Sequence, residues 1–269
     1  MTLPMIDAFY LDAAALPPAA RRQVTRWMEQ HPKRLACTVR CAKRHFSCLE
    51  HCSDIVRLAA VLCLLPDLHK KYRRLGIDDR VFTDTVSDIG IWCENCGGSG
   101  LHNVRWIKNH LDARLFRLGR LQFQFYQLPP VAPYLRKAPL TAGTPVIYIH
   151  IPQGTPLEPA ACKASVDQAK VFFDRVFPDY SYTCFFSESW LLFSGNADFM
   201  RPGCNILQFA SLFQPVCDIS VPAQTIERVF GKRQRRAADY PENTDLQRRL
   251  KAYLLSGHQP GMGVGYIER

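Results

Sequence analysis

The sequence predicts an α+β fold, with a helical N-terminal part followed by a mostly antiparallel sheet and its packed helices. Three observations carry that expectation. Up to about residue 100 the apolar residues recur at steps of three and four, the period of one helix face. From Leu121 the pattern changes: Leu121, Phe123 and Phe125 alternate with Gln122, Gln124 and Tyr126, the period of a strand. Beyond that point, strand-like runs surround one helix-like segment, an order that packs a helix on an antiparallel sheet.

Composition bounds the rest. A chain of 269 residues supports one large domain or two small ones, each with its own core. Hydrophobic residues at 47% and charged residues at 22% are ordinary globular values and exclude a disordered or collagenous chain. The longest apolar run, Ile55 to Leu65, is broken by Arg57 and stopped by Pro66, well short of the roughly 20 residues that span a bilayer. Asp7 and Asp12, with no basic region before an apolar block, do not make a signal peptide. Eleven cysteines without an export signal read as reduced thiols, and the expectation is a cytoplasmic protein without a membrane partner. The net charge of +10 suits polyanions, phosphate-bearing cofactors among them, and does not single out nucleic acid. It is spread over Arg21–Arg26, Lys33–Arg44, Lys70–Arg74, Arg105–Arg120 and Lys232–Arg236, as on solvated helix faces.

Taken in order, Pro17 and Pro18 open a helix carrying Val24, Trp27 and Met28. A second helix is expected from about Lys33 to His51. A third starts at the N-cap Ser53 and is interrupted at Pro66. A short basic helix, His69 to Leu75, ends at Gly76. Asp78 or Asp79 caps a longer one whose stripe is Phe82, Thr85, Ile89, Trp92, Cys93 and Cys96. Val104, Ile107, Leu111, Leu115 and Leu118 then predict a helix that stops at Gly119. This joint divides the chain into residues 1–118 and 119–269. Leu128 to Pro145, with five prolines, is irregular. Val146 to Ile151 is a strand, Cys162 to Val176 a helix, Tyr180 to Phe193 a long strand, and Asn205 to Phe213 and Cys217 to Val221 two further strands. Thr244 and Gln247 form a capping box for a last helix, and GMGVGYIER is a Gly-rich tail.

Several constellations bear on chemistry. Cys37, Cys41, His45, Cys48 and Cys52 share one helical face, which reads either as core packing or as a soft-metal grip. On a straight helix they spread over about 20 Å, so no metal site is assigned. Cys93 and Cys96 have the spacing of half a zinc knuckle, but no second pair follows. Arg114, Arg117 and Arg120 cluster at the end of the joint helix. Gln153, Gly154 and Thr155 lie between a strand and a helix, where free N–H groups and the helix dipole suit a phosphate; Pro156 and Pro159 cannot donate, and Glu158 opposes an anion. His150 is able to serve as a base near neutral pH. Glu188 is the one carboxylate in Tyr180 to Phe193, placed either at an exposed edge or in a cavity that raises its pKa.

Further motifs carry a family likeness. Thr85-x-Ser87-Asp88-Ile89, Trp106-Ile107-x-x-His110-Leu111 and Leu115-Phe116-Arg117-Leu118-Gly119-Arg120-Leu121-Gln122-Phe123 are three of them. His150-Ile151-Pro152, Gly154-x-Pro156-Leu157, Ser165-x-x-x-Ala169-x-x-Phe172-Phe173, Ser189-Trp190-Leu191-Leu192 and Thr244-x-Leu246-Gln247-Arg248 continue the set. Over roughly residues 55 to 265 the chain resembles a bacterial two-domain family of acyltransferases, in which a helical N-acyltransferase N-terminal domain precedes a GNAT-like C-terminal domain. The resemblance implies that Val146–Ile151 and Tyr180–Leu192 are neighbouring strands that splay apart around the pantetheine of acetyl-CoA or another acyl-CoA. An amine, on a small molecule or a peptide, would attack the thioester directly. His150 or Glu188 would be the base, and Gln153, Gly154 and Thr155 would lie at the cofactor phosphates. The chain departs from the family's Arg/Gln-x-x-Gly-x-Gly/Ala phosphate loop and has Ser187 where a cysteine is expected. A non-catalytic GNAT-like module that binds a ligand or a protein is the alternative reading.

Overall fold

The computed structural model of the chain describes residues 6–135 and 139–269; Arg136 to Ala138 of the Pro-rich connection lie outside the described residues. The chain forms two compact units. One comprises Met1–Gln124, Ile151–Thr155 and Phe172–Phe177, the other Phe125–His150, Pro156–Val171 and Pro178–Arg269.

The first unit opens with helices α1 (Ala8–Ala13), α2 (Pro18–Gln30) and α3 (Pro32–Arg44), the last two each with a proline in the first turn, where its missing N–H costs nothing. His45 ends α3, and Phe46–His51 is a separate 3-10 turn, so the expected helix to His51 is cut short. Helix α4 (Asp54–Arg74) instead runs straight through Pro66. An interior proline costs about 3 kcal/mol. Burying Leu58, Leu62, Leu65 and Leu68, at about 1.5–3 kcal/mol each, outweighs it. Helices α5 (Asp79–Val86) and α6 (Asp88–Asn95) split the expected longer helix at Ser87, and Asp78 caps α5.

The joint differs from its expected form. Helix α7 spans only Val104–Leu111. Ala113 turns left-handed (φ 53°), and the N–H groups of Ala113 and Arg114 return to His110 O and Asn109 O, a Schellman stop built on alanine. Leu115–Leu118 is therefore strand β1, which pairs antiparallel with β2 (Leu121–Gln127) from Leu115↔Gln124 to Leu118↔Leu121. Gly119 and Arg120 form the two-residue turn of this hairpin.

The remaining elements are β3 (Pro145–His150), α8 (Pro159–Val176), β4 (Cys184–Ser189), α9 (Asn196–Phe199), α10 (Asn205–Ala210), β5 (Gln214–Ile219), α11 (Ala223–Phe230), α12 (Asp245–Leu255) and β6 (Met262–Glu268). Strand β4 is shorter than expected because the Ser189 hydroxyl accepts from Leu191 N and starts a 3-10 turn. Asn205–Ala210 is a helix where a strand was expected; Ile206 and Phe209, three residues apart, follow the helical spacing. The Thr244–Gln247 capping box forms as expected.

Among the described residues the sheet has six strands in the order β1-β2-β3-β4-β6-β5. Strand β3 runs parallel to β4, whereas β6 is antiparallel to both β4 and β5. The Gly-rich tail is thus an interior strand. Its glycines permit this placement: a Cβ on Gly263 would lie 2.0 Å from the carbonyl oxygen of Leu192.

Candidate active site

Strands β3 and β4 pair through Ile147↔Phe185 and Tyr148↔Phe186. One residue further on, side chains replace the main-chain ladder. Ser187 Oγ donates to Ile149 O at 3.1 Å. The Tyr148 hydroxyl donates to Glu188 O at 2.9 Å and accepts from Glu188 N at 3.3 Å. Main-chain groups in a sheet interior must find partners, and here two hydroxyls supply them where the strands part.

His150 and Glu188 lie at this parting, both half-buried. The His150 ring stacks on Tyr148, with centroids 4.3 Å apart and planes 9° apart. Tyr148 in turn meets Tyr126 and Phe186 edge-on, each at 5.2 Å, and Tyr134 packs on Phe186 at 5.2 Å. Burial in this aromatic setting raises the pKa of Glu188 above the usual carboxylate range. Burial, with the Glu188 charge behind it, pushes Tyr134 up to about 12. A carboxyl held partly away from water is suited to proton transfer near neutral pH.

Gln153, Gly154 and Thr155 belong to the other unit and are exposed; Gly154 takes a φ of 105° that other residues rarely adopt. Arg120, in the hairpin turn and not at a helix end, donates to Pro152 O at 2.9 Å and Thr155 O at 2.8 Å. Its guanidinium therefore fixes two carbonyls of this loop. Sequence reasoning grouped Arg120 with Arg114 and Arg117 on a helix; the Gly-Arg pair between two apolar runs is the signal for a turn.

Family models cover nearly the whole chain. That of the GNAT-like C-terminal domain matches residues 115–267, and that of the N-acyltransferase N-terminal domain matches residues 7–113. The chain belongs to this family. Among solved structures it is similar to an acyltransferase in complex with decanoyl-CoA, at 21% identity and a TM-score of 0.77, over 97% of this chain and 86% of that one. The complex of an acyltransferase with decanoyl-CoA and teicoplanin aligns over 97% and 87% of the two chains, at 22% identity and a TM-score of 0.75. At this identity the likeness establishes the fold. No curated protein sequence matches.

In the N-acyltransferase N-terminal domain, the motif residues Asp88, Trp106 and His110 meet in the core. Trp92 Nε1 and Trp106 Nε1 donate to Asp88 Oδ2 at 3.0 and 2.8 Å, and His110 Nε2 lies 3.1 Å from the same oxygen. Burial alone would raise the Asp88 pKa; His110, Trp106 and Gln122 together hold it below the usual range. Sequence reasoning placed these residues in motifs without seeing their meeting point.

The cysteine stripe is not core: Cys37 and Cys41 are exposed, and Cys48 and Cys52 are half-buried. Burial and the neighbouring Cys41 thiol push Cys48 up to about 11. Among the described residues no group of three or more His, Cys, Asp or Glu side chains is arranged to hold a metal. A hollow of about 410 Å³ in the same domain is lined by Lys43, Arg44, Lys71 and Lys108 and holds none of the candidate residues. Asp67 and Asp112 pair with Lys43 and Lys108 there, at 2.6 and 2.5 Å, and offset much of that charge.

Proposed function

We propose that the protein is an acyl-CoA-dependent N-acyltransferase that moves an acyl group from a CoA thioester to an amine on a small molecule or peptide. The observation that carries this reading is the parting of β3 and β4 beyond Tyr148 and Phe186, with a raised-pKa carboxyl beside it. Support also comes from family membership and from the acyl-CoA ligands of its structural neighbours. The amine nitrogen attacks the thioester carbon, the C–N bond forms, and the C–S bond breaks to release CoA as a thiolate. Glu188 takes the proton that the amine loses, with His150 the other base within the same aromatic setting. Gln153, Gly154 and Thr155, in the loop before α8, lie at the donor phosphates. The reaction needs positioning and proton removal, without a covalent enzyme intermediate.

We place the protein in the cytoplasm. All eleven cysteines are free thiols, which suits a reducing compartment, and among the described residues no helix is long and apolar enough to cross a membrane.

Thermal melting with CoA and with acyl-CoAs from acetyl to decanoyl tests donor binding, since a bound ligand raises the midpoint by mass action. Thiol release with a panel of amines, teicoplanin included, tests transfer. No midpoint shift at millimolar donor would reject the enzymatic reading in favour of a non-catalytic GNAT-like binding module.

A further inference from the structure

The geometry points to Tyr148 as a positioning residue: a strut that sets the width of the gap between β3 and β4. Its kinetic consequence rests on the acyl-transfer reading; its structural content does not.

In an uninterrupted parallel ladder, the N–H and C=O of Glu188 would bond to the main chain of β3. Both meet the Tyr148 hydroxyl instead, at 3.3 and 2.9 Å. One oxygen thus serves as acceptor and donor at the point where pairing ends. It stands between the two chains, so closing the gap requires its expulsion and widening the gap breaks both bonds. The ring is not free to swing. Tyr126 and Phe186 hold it edge-on, and His150 covers one face. The phenol also remains a donor across the working pH range, because burial raises its pKa further above its ordinary value, with the Glu188 charge adding to the effect. On the far side of the parting, the Ser187 hydroxyl makes a single bond to Ile149 O. Tyr148 alone satisfies two main-chain groups while also supporting the imidazole of His150. Strand spacing and the orientation of one candidate base therefore depend on the same side chain.

The competing idea is a placeholder, in which the hydroxyl occupies Glu188 only until a ligand displaces it. The two ideas give opposite results for acyl-CoA binding in Tyr148→Phe, which keeps the ring and removes the oxygen. A strut predicts that the Glu188 amide proton exchanges with deuterium about ten-fold faster in the variant, the worth of one hydrogen bond, while the other β4 amides keep their protection. It also predicts a rise of about ten-fold in KM for acyl-CoA with KM for the amine unchanged, because the gap narrows. Tyr148→Leu, which also removes the stacking surface, shifts the pH profile of kcat as well. Unchanged Glu188 exchange in Tyr148→Phe overturns the assignment, as does tighter acyl-CoA binding. The strut also predicts that in the wild-type protein the Glu188 amide is slow to exchange although its acceptor is the Tyr148 hydroxyl and not the main chain of β3, and fast exchange there overturns the assignment without any substitution. A wild-type protein that binds no acyl-CoA refutes the acyl-transfer reading, and the exchange measurement still decides whether the Tyr148 hydroxyl holds Glu188.

Discussion

Glu188 costs the folded chain something when it is ionised. Its folded-state pKa is raised by burial, so its contribution to stability is fully present below the unfolded-state pKa and is lost as pH rises through the folded one. Replacing it with Gln is expected to raise the melting midpoint at pH 7, and the difference should vanish below the ordinary carboxyl range. If it is the base, the same substitution abolishes the acidic limb of the kcat/KM profile and lowers kcat by about 10²–10⁴-fold. His150→Ala lowers kcat less in that case; wild-type activity in both variants would reject both assignments. Asp88 behaves in the opposite sense. Its pKa is depressed in the folded state, so the stability it contributes is present above the unfolded-state value and lost as pH falls through the folded one. Asp88→Asn leaves two indole donors and His110 around a neutral group and is expected to lower the unfolding free energy by about 3 kcal/mol in urea titrations.

At the scale of elements, β6 is the most constrained strand. Gly263→Ala would drive a methyl group into the Leu192 carbonyl, and a loss of at least about 2 kcal/mol is expected; a variant with an unchanged urea midpoint would contradict the close approach. Much of this architecture was legible in the sequence: the helical first part, β3, α8 and the Thr244 cap all follow from period and capping residues. The errors have physical causes. Leu115 and Leu118 continue the helical spacing of α7, and only the left-handed turn at Ala113, which alanine rarely makes, converts them to a strand. Pro66 looks like a break until the burial of its neighbours is counted. The Gly-rich tail shows no strand alternation because glycines lack side chains to alternate, and their use is visible only where Leu192 lies against Gly263. His150 and Glu188 were legible as isolated residues. Tyr148 was not, because its role depends on a register between strands about forty residues apart in the chain.

For the whole molecule, the net charge of +10 and eleven free thiols are the features that solution chemistry reads directly. A disulfide-exchange reagent at neutral pH should modify Cys37 and Cys41 first, leave buried Cys93, Cys162 and Cys184 untouched, and reach all eleven thiols only after denaturation. Mass mapping of the fast-reacting peptides checks this, and early labelling of Cys162 or Cys184 would contradict the sheet core. The order of strands also bears on biosynthesis. Strand β5 pairs with β6, and β6 separates it from β4, yet β6 is the last of the six to leave the ribosome. Until Met262–Glu268 emerges, β4 offers an unpaired edge and β5 has no neighbour to join. A nascent chain stalled before Met262 is therefore expected to be held by chaperones or to aggregate edge to edge, whereas a chain that presents Met262–Glu268 closes the sheet.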